Sequence, residues 1–318
     1  MVTVRKLFEK INIGNEFGGD LRFDEPLAPH TTFRVGGPAD AWFRPSGPAA
    51  VEAMAKVLRA AAAEGIPAFV LGGGANVVVA DRGVRGVVID TTGWVGCEFG
   101  GGRERTVRVR AGTAVDDAAE ECAGRSSAGL EFLAGMPGSI GGAVWMNARC
   151  YGKSISDVLL ETEILDESLD LVTVPFRAED FSYKRSPFQT RSALIVAARF
   201  RLEDRSAEEL RAEMEKYRAD RVAKGHYRLP SAGSAFKNDY AFGVPTGKIV
   251  DELGLRGLQI GGARVADWHG NIIVNTGNAA AADIRALVEE VARRVRAERG
   301  LVLESEILFV GDWETDRR

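Results

Sequence analysis

The stretch Ala68-Phe69-Val70-Leu71-Gly72-Gly73-Gly74-Ala75-Asn76-Val77-Val78-Val79 places two short apolar runs on either side of three consecutive glycines. Each run has the length and the branched residues that a buried β-strand prefers. A glycine loop between strands leaves main-chain N–H groups uncovered, so that they can surround an anion such as a pyrophosphate. Tight turns also use glycine, and one such loop alone does not separate the two interpretations.

A second glycine-rich segment, Gly135-Met136-Pro137-Gly138-Ser139-Ile140-Gly141-Gly142, follows in the same half of the chain. Two such loops, one followed by Asn76 and the other by Asn147, favour a bound nucleotide. The two common nucleotide motifs are missing. A GxGxxG fingerprint would need glycine in place of Val77, and a Walker A loop ending at Gly152-Lys153-Ser154 would need glycine in place of Asn147.

The composition excludes several classes of protein. Of 318 residues, 45% are hydrophobic and 27% are charged, which is typical of a globular chain. A net charge of -4 leaves no basic footprint for nucleic acid. There is no apolar stretch of the roughly 20 residues that span a bilayer, and no secretory signal pattern. The three cysteines and three histidines show no metal-ligand spacing. We expect a soluble cytoplasmic monomer that binds no metal, nucleic acid or membrane.

Hydrophobic periodicity and Gly/Pro stops predict an α+β chain without a regular βαβ series. Ordered structure is expected to begin near Arg22. Predicted helices span 49–63, 113–123, 206–224, 246–253 and 280–299, and predicted strands include 39–44, 106–110, 194–202, 271–274 and a closing strand made of 301–303 with 307–310. After residue 204 the composition changes from Gly/Val-rich to Arg/Glu-rich, which indicates a domain boundary.

Six strings carry a family resemblance. The first half contains Thr32-Phe33-Arg34-Val35-Gly36-Gly37-Pro38-Ala39, Leu71-Gly72-Gly73-Gly74-Ala75-Asn76 and Gly135-Met136-Pro137-Gly138-Ser139-Ile140-Gly141-Gly142-Ala143. The second half contains Gly233-Ser234-Ala235-Phe236-Lys237-Asn238, Gln259-Ile260-Gly261-Gly262-Ala263 and Leu303-Glu304-Ser305-Glu306. In this order the strings resemble the UDP-N-acetylenolpyruvoylglucosamine reductases (UDP-N-acetylmuramate dehydrogenases), flavoenzymes of bacterial cell-wall synthesis. The resemblance covers residues 31–311.

The resemblance implies a two-part FAD-binding region of the vanillyl-alcohol-oxidase type and a separate α+β substrate domain. The FAD-binding region would be residues 20–204, joined by the C-terminal strand 303–318, and the substrate domain would be residues 205–302. The short passage from Leu202 to Ser234 resembles the insertion-lacking type of the family. The implied reaction is NADPH-dependent reduction of UDP-N-acetylenolpyruvoylglucosamine to UDP-N-acetylmuramate through FAD, with NADPH as co-substrate, in peptidoglycan precursor synthesis.

Two residues of the second half match catalytic positions of the family. Ser234 matches the proton donor, whose hydroxyl must be polarised by its neighbours. Glu306 matches the acidic residue that polarises the enolpyruvyl carboxylate. A glutamate beside Ile307-Leu308-Phe309 is costly to bury, which favours a functional role. Glu304 lies on the same face if the segment alternates as a strand, so only the motif selects Glu306.

A third catalytic position departs from the family pattern. The family normally has Tyr-Arg-x-Ser, whereas this chain has Tyr183-Lys184-Arg185-Ser186. Lysine keeps the positive charge but loses the planar fork that binds a carboxylate through two hydrogen bonds. Either Lys184 acts as a point charge or Arg185 turns into the site. Because adjacent strand residues point to opposite faces, we favour Lys184.

The resemblance also implies binding residues. The cofactor-binding candidates are the small residues of both glycine loops and their neighbours, namely Gly72, Gly73, Gly74, Ala75, Asn76, Gly138, Ser139, Gly141, Gly142 and Ala143. The substrate-binding candidates are Tyr183, Lys224, Asn238 and Gln259, with Lys224 at the diphosphate. Lys224 is interpreted equally well as a solvated residue near a helix C-terminus. Asp239 replaces the usual proline of its loop, and His269 is expected to be structural.

Two other functions stay open. An FAD oxidase of the same fold with another substrate is disfavoured, because the strings around Ser234 and Gln259 belong to the substrate side of the reductases. A non-catalytic flavin- or nucleotide-binding sensor is suggested by the departures at Lys184 and Asp239.

Overall fold

The computed structural model describes residues 3–11, 13, 18–101 and 105–313. The chain divides into two compact units. Unit 1 comprises Met1–Phe23, Ala41–Gly73 and Gly86–Asp220, and unit 2 comprises Asp24–Asp40, Gly74–Arg85 and Arg221–Arg318. Each unit therefore takes residues from three separate stretches of chain. The assignment of 20–204 with 303–318 to the cofactor and of 205–302 to the substrate stays a prediction.

The helices are α1 (Val4–Ile11), α2 (Ala50–Ala63), α3 (Val115–Gly124), α4 (Ile140–Trp145), α5 (Ala207–Ala223), α6 (Thr246–Glu252) and α7 (Ala281–Arg299). The strands are β1 (Gly19–Pro26), β2 (Pro38–Pro45), β3 (Ala68–Leu71), β4 (Val77–Val79), β5 (Val84–Asp90), β6 (Cys97–Gly100), β7 (Thr106–Arg110), β8 (Ser127–Ala128), β9 (Arg149–Cys150), β10 (Lys153–Ser154), β11 (Leu159–Leu165), β12 (Leu171–Pro175), β13 (Leu194–Arg201), β14 (Glu203–Asp204), β15 (Gln259–Ile260), β16 (Ala263–Val265), β17 (Ile273–Asn275) and β18 (Leu308–Val310). The five helices predicted from periodicity correspond to α2, α3, α5, α6 and α7, and the prediction of these helices is confirmed.

Unit 1 contains a five-stranded antiparallel sheet in the order β12-β11-β13-β7-β6. Alternate residues of β7, Val107 and Val109, are fully buried in a core that includes Ile140 of α4. The residues after β7 fix the second glycine segment, because the Gly141 amide donates to the Ala111 carbonyl at 2.8 Å. The first glycine loop begins where β3 ends, and β3 pairs in parallel with β5.

The prediction that ordered structure begins near Arg22 is wrong. Helix α1 precedes it and buries Leu7 and Phe8. The Phe8 ring contacts the rings of Phe23 and Phe43, with centroids 5.9 and 6.2 Å apart. An isolated two-turn helix is unstable in water, so α1 depends on this tertiary packing, which a local reading of the sequence does not register.

Unit 2 combines the antiparallel sheet β15-β16-β17 with the long helix α7. The apolar residues Ile284, Leu287, Val291 and Val295 of α7 are buried. A second, parallel pair joins β18 to β4, with Leu308 opposite Val77. The predicted closing strand is only partly right, because 301–303 are not in a strand and only Leu308–Val310 pair.

Within the described ranges, no helix is both long enough and apolar enough to cross a lipid bilayer.

Candidate active site

In unit 1 the start of the first glycine loop contacts the second glycine segment directly. A Cβ atom on Gly73 would lie 2.7 Å from the Cα of Gly138, and a Cβ atom on Gly72 would overlap the Oγ of Ser139. The Gly73 amide donates a hydrogen bond to that Oγ at 3.2 Å. Glycine is required at position 73 because two main chains approach more closely there than a side chain allows.

Ser139 and Gly142 provide the features that an anionic ligand needs. Ser139 is 3% exposed, and its Oγ accepts hydrogen bonds from the Gly73 amide at 3.2 Å and the Gly142 amide at 3.4 Å. Amides of both segments thus converge on one hydroxyl. Gly142 is exposed, and among the described residues outside its own helix a Cβ atom there would meet Ser139 Oγ alone, at 3.6 Å. This bare main chain fits the pyrophosphate of a flavin dinucleotide. By contrast, Ala143 is buried in the core.

The remainder of the first loop, from Gly74 to Asn76, belongs to unit 2. Gly74 has a φ of +61°, and a Cβ atom there would overlap the carbonyl oxygen of His30. Its own carbonyl accepts a hydrogen bond from the Thr32 amide at 3.1 Å. Gly74 therefore serves backbone packing, while Ala75 and Asn76 are half-buried.

Three predicted site residues of unit 2 come together. The amide of Glu306 donates to the carbonyl of Ala235 at 2.9 Å, which places Glu306 beside the segment that carries Ser234. The Asn76 Nδ2 donates to the Glu306 carbonyl at 2.8 Å. Glu306 is therefore hydrogen-bonded through its main chain to the residue after the predicted proton donor and to the side chain that ends the first glycine loop.

The two glutamates of this segment differ in burial. Glu306 is 8% exposed, whereas the Glu304 side chain is 58% exposed and pairs with Lys237 Nζ at 2.7 Å. Strand alternation does not relate them, because in the 301–307 segment only Ser305 forms a β-bridge. Burial thus distinguishes Glu306 from Glu304, which the sequence pattern alone did not.

Asn271 was missed by the sequence analysis. It is 3% exposed, and its Oδ1 accepts from the Phe236 amide at 2.9 Å while its Nδ2 donates to the Phe236 carbonyl at 2.8 Å. The Asn271 carbonyl also accepts from the Ala235 amide at 2.8 Å. One residue thereby fixes the main chain on the C-terminal side of Ser234. The sequence feature that could have identified Asn271 is its position as a polar residue directly before the apolar run Ile272-Ile273-Val274.

Tyr183 and Lys184 belong to unit 1, where they form a two-residue turn. Ser182 and Arg185 exchange main-chain hydrogen bonds of 3.2 and 3.0 Å on either side of them. Lys184 has a φ of +57°. The argument from strand alternation is therefore wrong, because the segment is not a strand. The preference for Lys184 over Arg185 now rests on its match to the arginine of the family's Tyr-Arg-x-Ser pattern, and it stays a prediction.

The remaining substrate candidates lie in unit 2 and are exposed. Lys224 follows the end of α5. The Asn238 Oδ1 accepts from the Thr246 amide at the start of α6 at 2.9 Å. The Gln259 Nε2 donates to the Gly261 carbonyl at 2.8 Å. Each bond uses one polar atom of the side-chain amide, the oxygen of Asn238 and the nitrogen of Gln259.

Asp239 and His269 have identifiable local roles. The Asp239 carboxylate accepts from the Ala241 amide at 2.9 Å and caps a short 3-10 turn, which gives the loop its shape without proline. The Nδ1 of His269 accepts from the Asn271 amide at 3.1 Å, so the neutral ring carries its proton on Nε2. Burial lowers the pKa of His269 and favours that neutral form.

Two family models match the chain. One describes the C-terminal domain of UDP-N-acetylenolpyruvoylglucosamine reductase and matches residues 225–310, which include Ser234 and Glu306. The other describes an FAD binding domain and matches residues 47–174, which include both glycine segments.

Similar proteins span almost the same length. The UDP-N-acetylenolpyruvoylglucosamine reductase of Treponema denticola is 40% identical over 93% of this chain and 95% of its own length. The chain belongs to the UDP-N-acetylenolpyruvoylglucosamine reductase family. The Borreliella burgdorferi reductase is 37% identical, over 97% of this chain and 98% of its own length. The crystal structure of the Thermus caldophilus reductase superposes with a TM-score of 0.74 at 32% identity, covering 92% of this chain and 99% of that one.

Membership of the reductase family confirms the predicted fold class, the cofactor and the enzyme class, an oxidoreductase. The α+β fold with an FAD-binding region is confirmed by the FAD binding domain match and the Thermus structure. The finer assignment to the vanillyl-alcohol-oxidase type stays a prediction. FAD is confirmed as the cofactor of this oxidoreductase. The individual site residues stay predictions.

Proposed function

We propose that the protein reduces UDP-N-acetylenolpyruvoylglucosamine to UDP-N-acetylmuramate with NADPH as reductant, as a monomer in the cytoplasm, in peptidoglycan precursor synthesis. One observation supports this above all: Glu306 is buried, adjoins the segment of Ser234 and is hydrogen-bonded through its carbonyl to Asn76. Burying a carboxylate is costly unless it serves a ligand or a partner.

The flavin would be held by the two glycine segments. Bound FAD supplies hydride exchange between NADPH and the enolpyruvyl group. The exposed residue Gly142 and the Ser139 hydroxyl, which accepts a hydrogen bond from the Gly142 amide, would bind the pyrophosphate. Gly72, Gly73 and Gly141 would act by allowing close packing against Ser139, Gly138 and Ala111, and Asn76 would hold the main chain of Glu306.

The reacting group needs stabilisation of negative charge and a proton. Hydride addition at the enolpyruvyl methylene leaves charge that spreads into the neighbouring carboxylate. Lys184 would bind that carboxylate as a point charge and Glu306 would polarise it. Ser234 would donate the proton, its hydroxyl held close to the carbon by the segment that Asn271 fixes.

The sugar nucleotide would be recognised by exposed groups. Lys224 would pair with the diphosphate, since an ammonium is a strong partner for phosphate. The Nδ2 of Asn238 and the Oε1 of Gln259 are not the atoms used in the internal hydrogen bonds described above. These two atoms would contact the substrate. Tyr183 would contact the substrate from the turn that carries Lys184.

The test follows NADPH oxidation by the FAD-loaded protein with and without UDP-N-acetylenolpyruvoylglucosamine. Substrate-dependent oxidation is expected and would exclude the sensor. Oxygen consumption independent of the sugar nucleotide would instead indicate an oxidase. Glu306→Gln should lower the substrate-dependent rate strongly, whereas the exposed neighbour variant Glu304→Gln should stay near the wild-type rate. A flavin-loaded protein with no substrate-dependent oxidation would contradict the proposal.

A further inference from the structure

One side chain connects the Lys184 turn to helix α4. The Nε2 of Gln189 donates to the carbonyl of Lys184 at 3.0 Å and to the carbonyl of Trp145 at 3.0 Å. Both partners are carbonyl oxygens, so the amide nitrogen must be the atom that faces them. Trp145 is the last residue of α4, the helix that the second glycine segment begins. Gln189 therefore joins the predicted cation to the predicted flavin cradle within unit 1.

Neighbouring polar groups hold the same turn. The carbonyl of Trp145, which has no partner inside its helix, also accepts from the Ser186 hydroxyl at 2.7 Å. On the other side, the Nδ2 of Asn147 donates to the Ser182 carbonyl at 2.9 Å. Asn147 is 4% exposed, and its Oδ1 accepts from the Ser156 amide at 3.0 Å. The main chain of the turn is thus held at both ends.

Lys184 needs this support for two reasons. Its φ of +57° is disfavoured for a residue with a side chain and persists only where the surroundings impose it. Its ammonium also sits on a flexible four-carbon stem, so the position of the charge depends on a fixed backbone. Gln189 bonds to the carbonyl of the strained residue itself and therefore restrains that residue directly.

We propose that Gln189 is a positioning residue for Lys184: its amide holds the strained main chain of Lys184 against the end of α4, so that the ammonium meets the carboxylate of the enolpyruvyl group. This inference rests on the proposed function, in which Lys184 binds that carboxylate. It assigns Gln189 no contact with the substrate.

The experiment compares four variants of the FAD-loaded protein: Gln189→Met, Lys184→Met, the double variant, and Thr190→Val as a neighbouring control. Methionine keeps the length of the glutamine side chain and removes its donor. Anaerobic rapid mixing gives the rate of flavin reduction by NADPH and the rate of flavin reoxidation by UDP-N-acetylenolpyruvoylglucosamine. Titration of the oxidised protein with that substrate, followed by the flavin absorption spectrum, gives its Kd, and thermal unfolding checks the fold.

Gln189→Met should slow reoxidation on the order of tenfold to a hundredfold and raise the substrate Kd, while flavin reduction and the Thr190→Val control stay near wild type. In the Lys184→Met background Gln189→Met should have almost no further effect. Full additional slowing in the double variant, or equal slowing of both half-reactions, would overturn the inference.

Two further outcomes separate this inference from the proposed function. If Lys184→Met reoxidises at the wild-type rate, the roles assigned to Lys184 and Gln189 are both wrong, although the proposed reduction of the sugar nucleotide is not contradicted. If Lys184→Met is slow and Gln189→Met is not, only the inference fails. Should Gln189→Met unfold, Gln189→Asn, which is too short to reach both carbonyls, must show the same selective slowing.

Discussion

The side-chain amide of Asn76 donates a hydrogen bond to the carbonyl oxygen of Glu306, 230 residues further along the chain, at 2.8 Å. The Asn76 carbonyl in turn accepts from the Leu308 amide at 3.0 Å. The residue that ends the first glycine loop therefore holds the main chain of the segment that carries Glu306, the buried glutamate of unit 2.

Asn76→Asp tests that relationship. Aspartate has the same shape but presents only acceptors to the Glu306 carbonyl. We expect the loss of the hydrogen bond to lower the free energy of unfolding by about 1–3 kcal/mol, measured by urea denaturation at neutral pH. Flavin reoxidation by the sugar nucleotide should slow more than flavin reduction. Unchanged stability and unchanged reoxidation would show that the bond does not position Glu306.

Gly72 and Gly142 are expected to respond oppositely to alanine. A Cβ atom on Gly72 overlaps Ser139 Oγ, whereas a Cβ atom on Gly142 stays at least 3.6 Å from every described residue outside its own helix. Gly72→Ala should lower the stability of the flavin-free protein by about 1–3 kcal/mol, because the Ser139 hydroxyl must leave the position in which it accepts hydrogen bonds from the Gly73 and Gly142 amides. Gly142→Ala should leave that stability intact and weaken FAD binding, measured by fluorescence titration of the flavin-free protein. FAD affinity unaffected by Gly142→Ala would remove Gly142 from the cradle.

The sequence predicted the regular elements well and the long-range contacts poorly. Helices such as α2 and α7 follow from apolar periodicity, and the glycine loops follow from composition. The turn at Lys184 does not, because nothing in Tyr183-Lys184 indicates a positive φ. The burial of Glu306 and the partners of Gln189 depend on segments distant in the chain. Local patterns carry no information about such pairs.

Asp81 should stabilise unit 2 by capping α7. Its two carboxylate oxygens accept from the Ala281 and Ala282 amides at 2.8 and 2.9 Å. Two amides at the start of a helix have no partner within it, and removing such a cap costs about 0.5–2 kcal/mol. We expect Asp81→Ala to lower the free energy of unfolding by that amount. Glu289→Gln, on the exposed surface of the same helix, should change it little, and an equal loss in both variants would refute the cap.

The ion pair of Arg108 and Glu163 predicts a pH dependence of stability. Arg108 donates two hydrogen bonds of 2.6 Å to the Glu163 carboxylate. They hold the pKa of Glu163 below its ordinary value of 4.5, although burial opposes them. A carboxyl with a lowered folded pKa stabilises the protein above the unfolded pKa, and this contribution is lost as the pH falls through the folded value.

Glu163→Gln should therefore lower the free energy of unfolding by about 1–2 kcal/mol at neutral pH. The difference from wild type should shrink below about pH 4. Urea denaturation at several pH values measures both effects. A difference that is constant with pH would mean that the charge of Glu163 contributes nothing.

Ser234→Ala, examined in the two half-reactions separately, tests the central claim most directly. Ser234 is assigned the proton that completes reduction of the enolpyruvyl group, so it has no part in flavin reduction by NADPH. We expect flavin reduction to keep its wild-type rate, and reoxidation by UDP-N-acetylenolpyruvoylglucosamine to fall by about 10²–10⁴-fold. Equal slowing of both half-reactions, or reoxidation at the wild-type rate, would contradict the assignment of Ser234 as the proton donor.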